Sequence, residues 1–357
     1  MTPAAVGQPA DGPLIQVEAL VRRFDTTVAV AGVSFEVRRG EMFGLIGPDG
    51  AGKTTTIRVI LGLLKPDGGR VRLAGLDPIT QARNVSRRIG YLAQRFSLYG
   101  DLSVDENIAF FAAVYGVRGW RERRTELLDM LRMTPFRGRL ADRLSGGMKQ
   151  KLALACILVH TPELLILDEP TTGVDPVSRR DFWKILTRLQ AGGLTILLTT
   201  PYLEEAERCH RVGLMARGKM LAIDTPTGLR TGSGDSIVEL LATPRRRAAE
   251  IVAARHGVTD VQTFGERLHA TLSGVSVAQA ADVALELRAA LEAGGVTVQA
   301  ARATEPSLED IFIARLRALD DAGGVPTAGG GPAAGGGPAA GGGPAVGGGP
   351  ASVGAAS

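Results

Sequence analysis

The 357-residue chain carries only two cysteines, Cys156 and Cys209. Two thiols build no disulfide framework and suit a reducing compartment. Cys156 falls in the apolar stretch LALACILV, where a small buried residue is the simplest reading. Aromatic residues amount to 4% against 45% hydrophobic overall, so the core has to be built from Leu, Val, Ile and Ala. No apolar run approaches the roughly 18 residues of a membrane span. The opening MTPAAVGQPADGP lacks the basic and apolar blocks of a secretion signal. The expectation is a soluble, cytoplasmic protein, for which any membrane role needs a separate partner. Net charge is a modest +4. The basic clusters RERR at 121–124 and Arg245 to Arg247 could touch acidic lipid or nucleic acid, but read first as solvated faces.

Residues 1–13 read as a flexible lead. From 14 to 231, strand-like runs (IQVEALV, VSFEV, EMFGLIG, LLILDE, TILLTT, RVGLMARG) alternate with helical stretches. That alternation predicts an α/β sheet with crossover helices. Strand patterning disappears between about 94 and 160, which predicts an inserted helical subdomain. GSGD at 232–235 marks a boundary. From 235 to 319 the order strand, helix, two strands, helix, strand fits a small α+β, ferredoxin-like unit. Its closing helix, SLEDIFIARLRAL, has apolar residues at 308, 311, 312 and 316 and should pack by one face. No catalytic spacing occurs there, so the unit reads as regulatory, dimer-stabilising or simply a stabilising appendage. From 320 to 357 the chain turns to GGGPA repeats. Glycine is not at every third position, which excludes collagen. Such a tail cannot offset its ordering entropy and should be disordered, a tether or tail.

The string GPDGAGKTT follows a strand and opens a helix, the context of a phosphate loop. Phosphate contacts fall to Gly47, Pro48, Asp49, Gly50, Ala51, Gly52, Lys53, Thr54 and Thr55. Glycines let backbone N–H groups converge on phosphate, and the helix N-terminus favours negative charge there. Lys53 should reach the β- and γ-phosphates of ATP, and Thr54 should ligate Mg²⁺. Downstream, LLILDEP delivers two carboxylates to the end of a buried strand. Asp168 is the metal-side residue and Glu169 the candidate general base.

With these motifs in place, the signature LSGGMKQ at 144–150 marks a resemblance. The region from 14 to 231 resembles the ATPase subunit of ABC transporters, a phosphate-loop NTPase fold. In that family two domains sandwich two ATP molecules head to tail. The resemblance therefore implies that Ser145, Gly146, Gly147 and Gln150 face a nucleotide held by a second ATPase domain. The physics agrees, since a serine and glycine N–H groups at a helix start form an anion site. Gln94 matches the glutamine that contacts Mg²⁺ and relays nucleotide state to the membrane subunit; the plainer reading is an exposed polar residue. Asp175 in GVDP matches the loop that crosses the dimer interface, although Val174 replaces the usual leucine. Phe24 takes the position of the aromatic that stacks on adenine, with a core role as the alternative.

One position departs from the pattern. Pro201 stands where the family carries a histidine that contacts the γ-phosphate and the attacking water. Proline has neither a side-chain donor nor a backbone N–H and cannot replace it. His210 and His160 read as surface residues that do not rescue the motif. A tolerated substitution, with Glu169 still working, is the plain alternative to a slow site. The resemblance implies an ATP-hydrolysing subunit on the inner face of the cell membrane, bound to a separate permease for drug or lipid export. A second ATPase domain is expected, with this chain as the degenerate half of an asymmetric pair in the sharper version. The alternative is a soluble ABC ATPase acting on ribosomes or nucleic acid. Such proteins usually carry two ATPase domains or long coiled-coil insertions, which this chain lacks, so no nucleic-acid partner is expected.

Overall fold

The computed structural model describes residues 12–94 and 98–322; most of the expected lead and tail lie outside the described residues. Three strands, Met42–Ile46, Leu164–Asp168 and Thr195–Thr200, are buried at every position. Unbroken burial of this kind belongs to parallel strands covered on both faces. They lie within a six-stranded sheet ordered Ile89–Leu92, Leu164–Asp168, Thr195–Thr200, Met42–Ile46, Arg211–Ala216, Lys219–Asp224. The registers Met42↔Ile196 and Leu164↔Thr195 are parallel, and the edge strand Lys219–Asp224 runs antiparallel.

Alternate side chains divide two cores between the faces, as the period of two requires. Phe43, Leu45, Leu164, Ile166 and Leu197 point into one core. It is closed by the helix Lys53–Ile60 and by an antiparallel sheet ordered Thr27–Val37, Ile15–Phe24, Gly68–Leu73. Met42, Ile46, Leu165, Leu167, Ile196 and Leu198 point into the other, with the helices Gly146–Leu158 and Pro176–Ala191. Cys156 and Cys209 are both buried, and burial pushes their thiols far up, so neither is a nucleophile. Because the central strands are parallel, the loops leaving their C-terminal ends gather on one side of the sheet. Gly47, Glu169 and Pro201 all sit there.

Helices Val104–Val114, Trp120–Met130 and Gly146–Leu158 fill the described stretch between the strands Ile89–Leu92 and Leu164–Asp168. The first starts at a capping box, with Ser103 accepting from the Glu106 N–H and Glu106 returning a bond to the Ser103 N–H at 2.8 Å.

Beyond the linker, four antiparallel strands are ordered Asp260–Phe264, Arg267–Ser273, Asp235–Thr243, Thr297–Thr304. Helices Arg245–Ala253 and Val277–Ala293 cover one face and close a separate core around Val238, Leu240 and Leu287. The helix Leu308–Ala322 leaves this unit. Leu308, Ile311 and Phe312 are buried in the core of the main sheet, with Leu316 packed beside them. The apolar positions named from sequence thus share one face, and the surface they cover belongs to the region before residue 231.

His269 ties that helix to the smaller sheet. Its Nδ1 lies 2.9 Å from Asp310 Oδ1 and its Nε2 lies 3.5 Å from Glu239. Glu239 in turn pairs with Arg267 and Arg302, and the Phe264 ring lies against the imidazole. Burial opposes the imidazolium, but Asp310 and then Glu239 outweigh it and lift the His269 pKa above the ordinary value. A raised folded-state pKa contributes stability that is complete below about pH 6.5, the unfolded value, and is lost as pH rises through the folded one. His269→Gln should therefore lower Tm more at about pH 6 than at about pH 9, as thermal melts at the two pH values would record.

Candidate nucleotide site

The phosphate loop follows the strand Met42–Ile46 directly and hands over to the helix Lys53–Ile60 at Gly52. Two of its glycines are sterically required. A Cβ on Gly47 would lie 2.0 Å from the Met215 carbonyl oxygen, and Gly52 has φ +99° with the Ala29 carbonyl 2.4 Å from where a Cβ would stand. The loop is thus pinned between the strands Arg211–Ala216 and Thr27–Val37.

Lys53 is buried, and its ammonium makes three contacts. It donates to the carbonyls of Gly47 and Pro48 at 2.8 and 3.0 Å and pairs with Glu169 Oε1 at 3.2 Å. Gln94 Nε2 donates to the other carboxylate oxygen of Glu169 at 2.9 Å. Glu169 has φ +49°, uncommon for a residue with a Cβ, and its N–H is held by Thr199 through both Oγ1 at 3.0 Å and the carbonyl at 3.2 Å. That turn swings the carboxylate off the strand end and over the phosphate loop.

Asp168 Oδ1 accepts from Thr54 Oγ1 at 3.0 Å and from Thr199 Oγ1 at 2.7 Å. One hydroxyl and one carboxylate at the lip of the loop fit Mg²⁺, a hard cation that takes few protein ligands beside substrate phosphates. Among the described residues no group of three or more His, Cys, Asp or Glu could hold a metal alone. Phosphate oxygens and water would have to supply the remaining ligands.

These residues open onto a cavity of about 630 Å³ lined by Phe24, Asp49 through Thr55, Gln94 and Glu169, ample for a nucleotide. Phe24 is 40% exposed at the cavity wall, with the Arg22 guanidinium 4.7 Å from its ring centre, so it is no core residue. Gln94 is exposed, and it donates to Glu169 at the same cavity.

The signature lies elsewhere. Ser145 caps the helix Gly146–Leu158, accepting from the Met148 N–H, and Ser145 and Gly146 are exposed. Neither they nor Gly147, Gln150 and Asp175 line the cavity. Gly147 packs on the start of the next helix, where a Cβ would sit 2.3 Å from Ser178 Oγ. Asp175 caps that helix, and the backbone N–H groups of Ser178 and Val177 hold its carboxyl below the usual range. One chain therefore presents a phosphate loop with its carboxylates, and a separate, exposed helix start at the signature.

Pro201 follows the strand Thr195–Thr200, whose Thr200 carbonyl accepts from the Gly47 N–H at 3.3 Å. It thus stands next to the phosphate loop, offering no donor. The two histidines nearest in sequence sit at the opposite end of the sheet. His210 Nδ1 accepts from the N–H of Met42, and His160 Nε2 meets the carbonyl of Ile89, both first residues of their strands. A five-residue strand separates these ends by roughly 16 Å. The reading of His160 as a surface residue is corrected: it stacks on Tyr115 at 3.9 Å, and burial pushes its pKa down. An apolar helix end before a strand hides a ring that local sequence leaves exposed.

Sequence reasoning missed Thr199, which orients both carboxylates, and Arg217 and Gly218, which line the cavity. TILLTT at a strand end carries a polar signal for the first. The turn ARGK gives none for the second.

A parallel sheet carrying this loop, carboxylate pair and signature defines an ATP-binding domain of the phosphate-loop class. A family model described as ABC transporter matches residues 30–172. The daunorubicin resistance ATP-binding protein DrrA2 of Streptomyces coeruleorubidus is 36% identical over 310 residues, covering 85% of this chain and 95% of that protein. The linearmycin resistance ATP-binding protein LnrL of Bacillus subtilis is 34% identical over 84% of this chain and 97% of that one. The chain belongs to the ATP-binding subunits of ABC transporters. A probable multidrug ABC transporter ATP-binding protein, YbhF of Escherichia coli, is 42% identical over 62% of this chain, which spans only 39% of YbhF. Among solved structures, an ATP-binding subunit of an ABC transporter is 32% identical with a TM-score of 0.57, covering 62% of this chain and 93% of that one. Among the described residues no helix is long and apolar enough to cross a membrane.

Proposed function

We infer that this chain binds and hydrolyses ATP to power a separate membrane permease, in drug or lipid export, from the inner face of the cell membrane. The observation that carries the ATPase reading is the convergence of Lys53, Gln94 and Glu169 on one cavity, with Thr54 and Asp168 3.0 Å apart at its edge. The export reading rests on relatives named for resistance to daunorubicin and linearmycin and for Nod factor export.

The chemistry follows from the positions. Loop N–H groups and Lys53 hold the β- and γ-phosphates, and Phe24 stacks on the base. Thr54 and Asp168 would hold Mg²⁺, which supplies charge neutralisation of the phosphates when bound. Glu169 accepts a proton from water as the water oxygen bonds to the γ-phosphorus. The bond to the β–γ bridging oxygen breaks, and the electron pair leaves on ADP. Gln94, hydrogen-bonded to Glu169, reports that event toward the helical subdomain and the permease.

The signature stands apart from its own cavity, so a complete site needs a second ATPase domain. Ser145 and Gly146, exposed at a helix start, would meet the γ-phosphate held by that domain, with Asp175 at the junction. Pro201 points to a partner that keeps its histidine. In such a pair this chain's signature completes the fast site, while its own phosphate loop turns over slowly. Pro201→His should then raise ATP turnover of the purified chain about tenfold or more, since one oriented donor at developing charge is worth roughly 10²–10³ in rate. Rapid hydrolysis by the unaltered chain, with no gain in the variant, rejects the asymmetric pairing. Co-purification with an integral membrane protein checks the transport reading, and salt-sensitive binding to nucleic acid without it would reverse that reading.

A further inference from the structure

Arg217 is the cavity residue that the phosphate and metal chemistry leave unused. It occupies the turn between strands Arg211–Ala216 and Lys219–Asp224 with φ +49°. Its neighbour Gly218 fixes that turn from both sides. The Gly218 N–H donates to the Ala51 carbonyl of the phosphate loop at 3.0 Å, and the Gly218 carbonyl accepts from Ala31 at 2.8 Å. The turn therefore belongs to the same wall as Thr27, Val28 and Phe24.

The Arg217 guanidinium is held from outside the ATPase sheet. It forms a two-pronged ion pair with Asp320 of the helix Leu308–Ala322, one contact to Oδ1 and the other, Nη2 to Oδ2, at 3.1 Å. The partners differ in exposure: 59% of the Arg217 side chain is accessible but only 11% of that of Asp320. A buried carboxylate thus holds an exposed cation at the edge of a site built for a polyanion. The same helix bonds His269 of the smaller sheet through Asp310. Its apolar face lies in the core that also takes Leu203, two residues past Pro201. One rigid element runs from the accessory sheet to the nucleotide cavity.

We propose that Arg217 is a nucleotide-contacting residue shared between ATP and Asp320, so that the C-terminal helix sets nucleotide affinity. The inference rests on the cavity being the ATP site. Arg217 lines the cavity that Phe24 and Val28 also line, and a guanidinium there can stack on the base or donate to ribose and phosphate oxygens. Each contact it makes to nucleotide is made against the pull of Asp320. Coupling between two sites is reciprocal, so an event that shifts the helix changes ATP affinity, and ATP shifts the helix by the same factor.

The test uses the full chain and the non-hydrolysable analogue AMP-PNP with Mg²⁺, titrated by calorimetry. Asp320→Asn should tighten binding about fivefold, at the low end of allosteric couplings because the pair is half exposed. Arg217→Ala should weaken it by a similar factor, and Asp320→Asn should add nothing in the Arg217→Ala background. Equal tightening in both backgrounds overturns the proposal. So does unchanged affinity in Asp320→Asn and Arg217→Ala with a lowered Tm, the mark of a pair that only anchors the helix. If Asp320→Asn fails to fold, unchanged affinity in Arg217→Ala, altered at an exposed side chain, is decisive against it. An unaltered chain that binds no AMP-PNP overturns instead the assignment of the cavity, and this inference with it.

Discussion

Glu169→Gln is expected to lower ATP turnover by about 10²- to 10³-fold while leaving nucleotide binding intact. A positioned general base contributes roughly 10²–10⁴ in rate, and glutamine cannot take the proton. Shape and hydrogen bonding are otherwise retained, since Gln94 and Thr199 can keep their contacts to the new side chain and its backbone. The substitution also releases Lys53 from its carboxylate partner. A γ-phosphate entering the loop then competes for the ammonium with the Gly47 and Pro48 carbonyls but with no carboxylate, so ATP affinity should hold or rise. Steady-state phosphate release and AMP-PNP binding measured on one preparation separate the two effects. A turnover loss under about tenfold would move the base elsewhere.

Lys53→Ala acts on binding and stability together. A buried charge-assisted hydrogen bond is worth about 1.5–3 kcal/mol, which predicts ATP affinity reduced roughly 10- to 100-fold. The loop should loosen as well, because the same ammonium bridges the carbonyls of Gly47 and Pro48. Removing it also leaves Glu169 buried without its cation, and breaking a buried pair costs about 3–5 kcal/mol. The discriminating measurement is the double variant Lys53→Ala with Glu169→Gln. Its Tm should recover toward that of the unaltered chain, while its ATP affinity should not.

The parts of the site that sequence exposed are those whose spacing is dictated by phosphate. GPDGAGKTT has to turn tightly between strand and helix, and LLILDEP has to carry acids to a buried strand end, so both are readable in isolation. The Lys53–Glu169 pair is different. Each residue was legible, but their contact depends on the order in which the strands Met42–Ile46, Thr195–Thr200 and Leu164–Asp168 lie side by side. No local pattern encodes that order. The same holds for the helix Leu308–Ala322. Positions 308, 311, 312 and 316 announce one buried face, yet an apolar face does not name the surface it meets. Arg217 shows the limit most sharply, because a positive-φ turn residue gains its neighbours wholly from tertiary contact.

The path of that last described helix has a consequence for how the molecule is made. The smaller sheet is threaded between two pieces of a single body: residues before 231 form most of it, and Leu308, Ile311 and Phe312 finish it. During synthesis the ribosome delivers the catalytic portion first, but an apolar strip beside Leu203, Leu221 and Leu229 stays wet until the final turns emerge. A nascent chain cut at the linker would be an unfinished fold rather than a trimmed one. The accessory sheet is, topologically, an insertion that the ATPase body closes around.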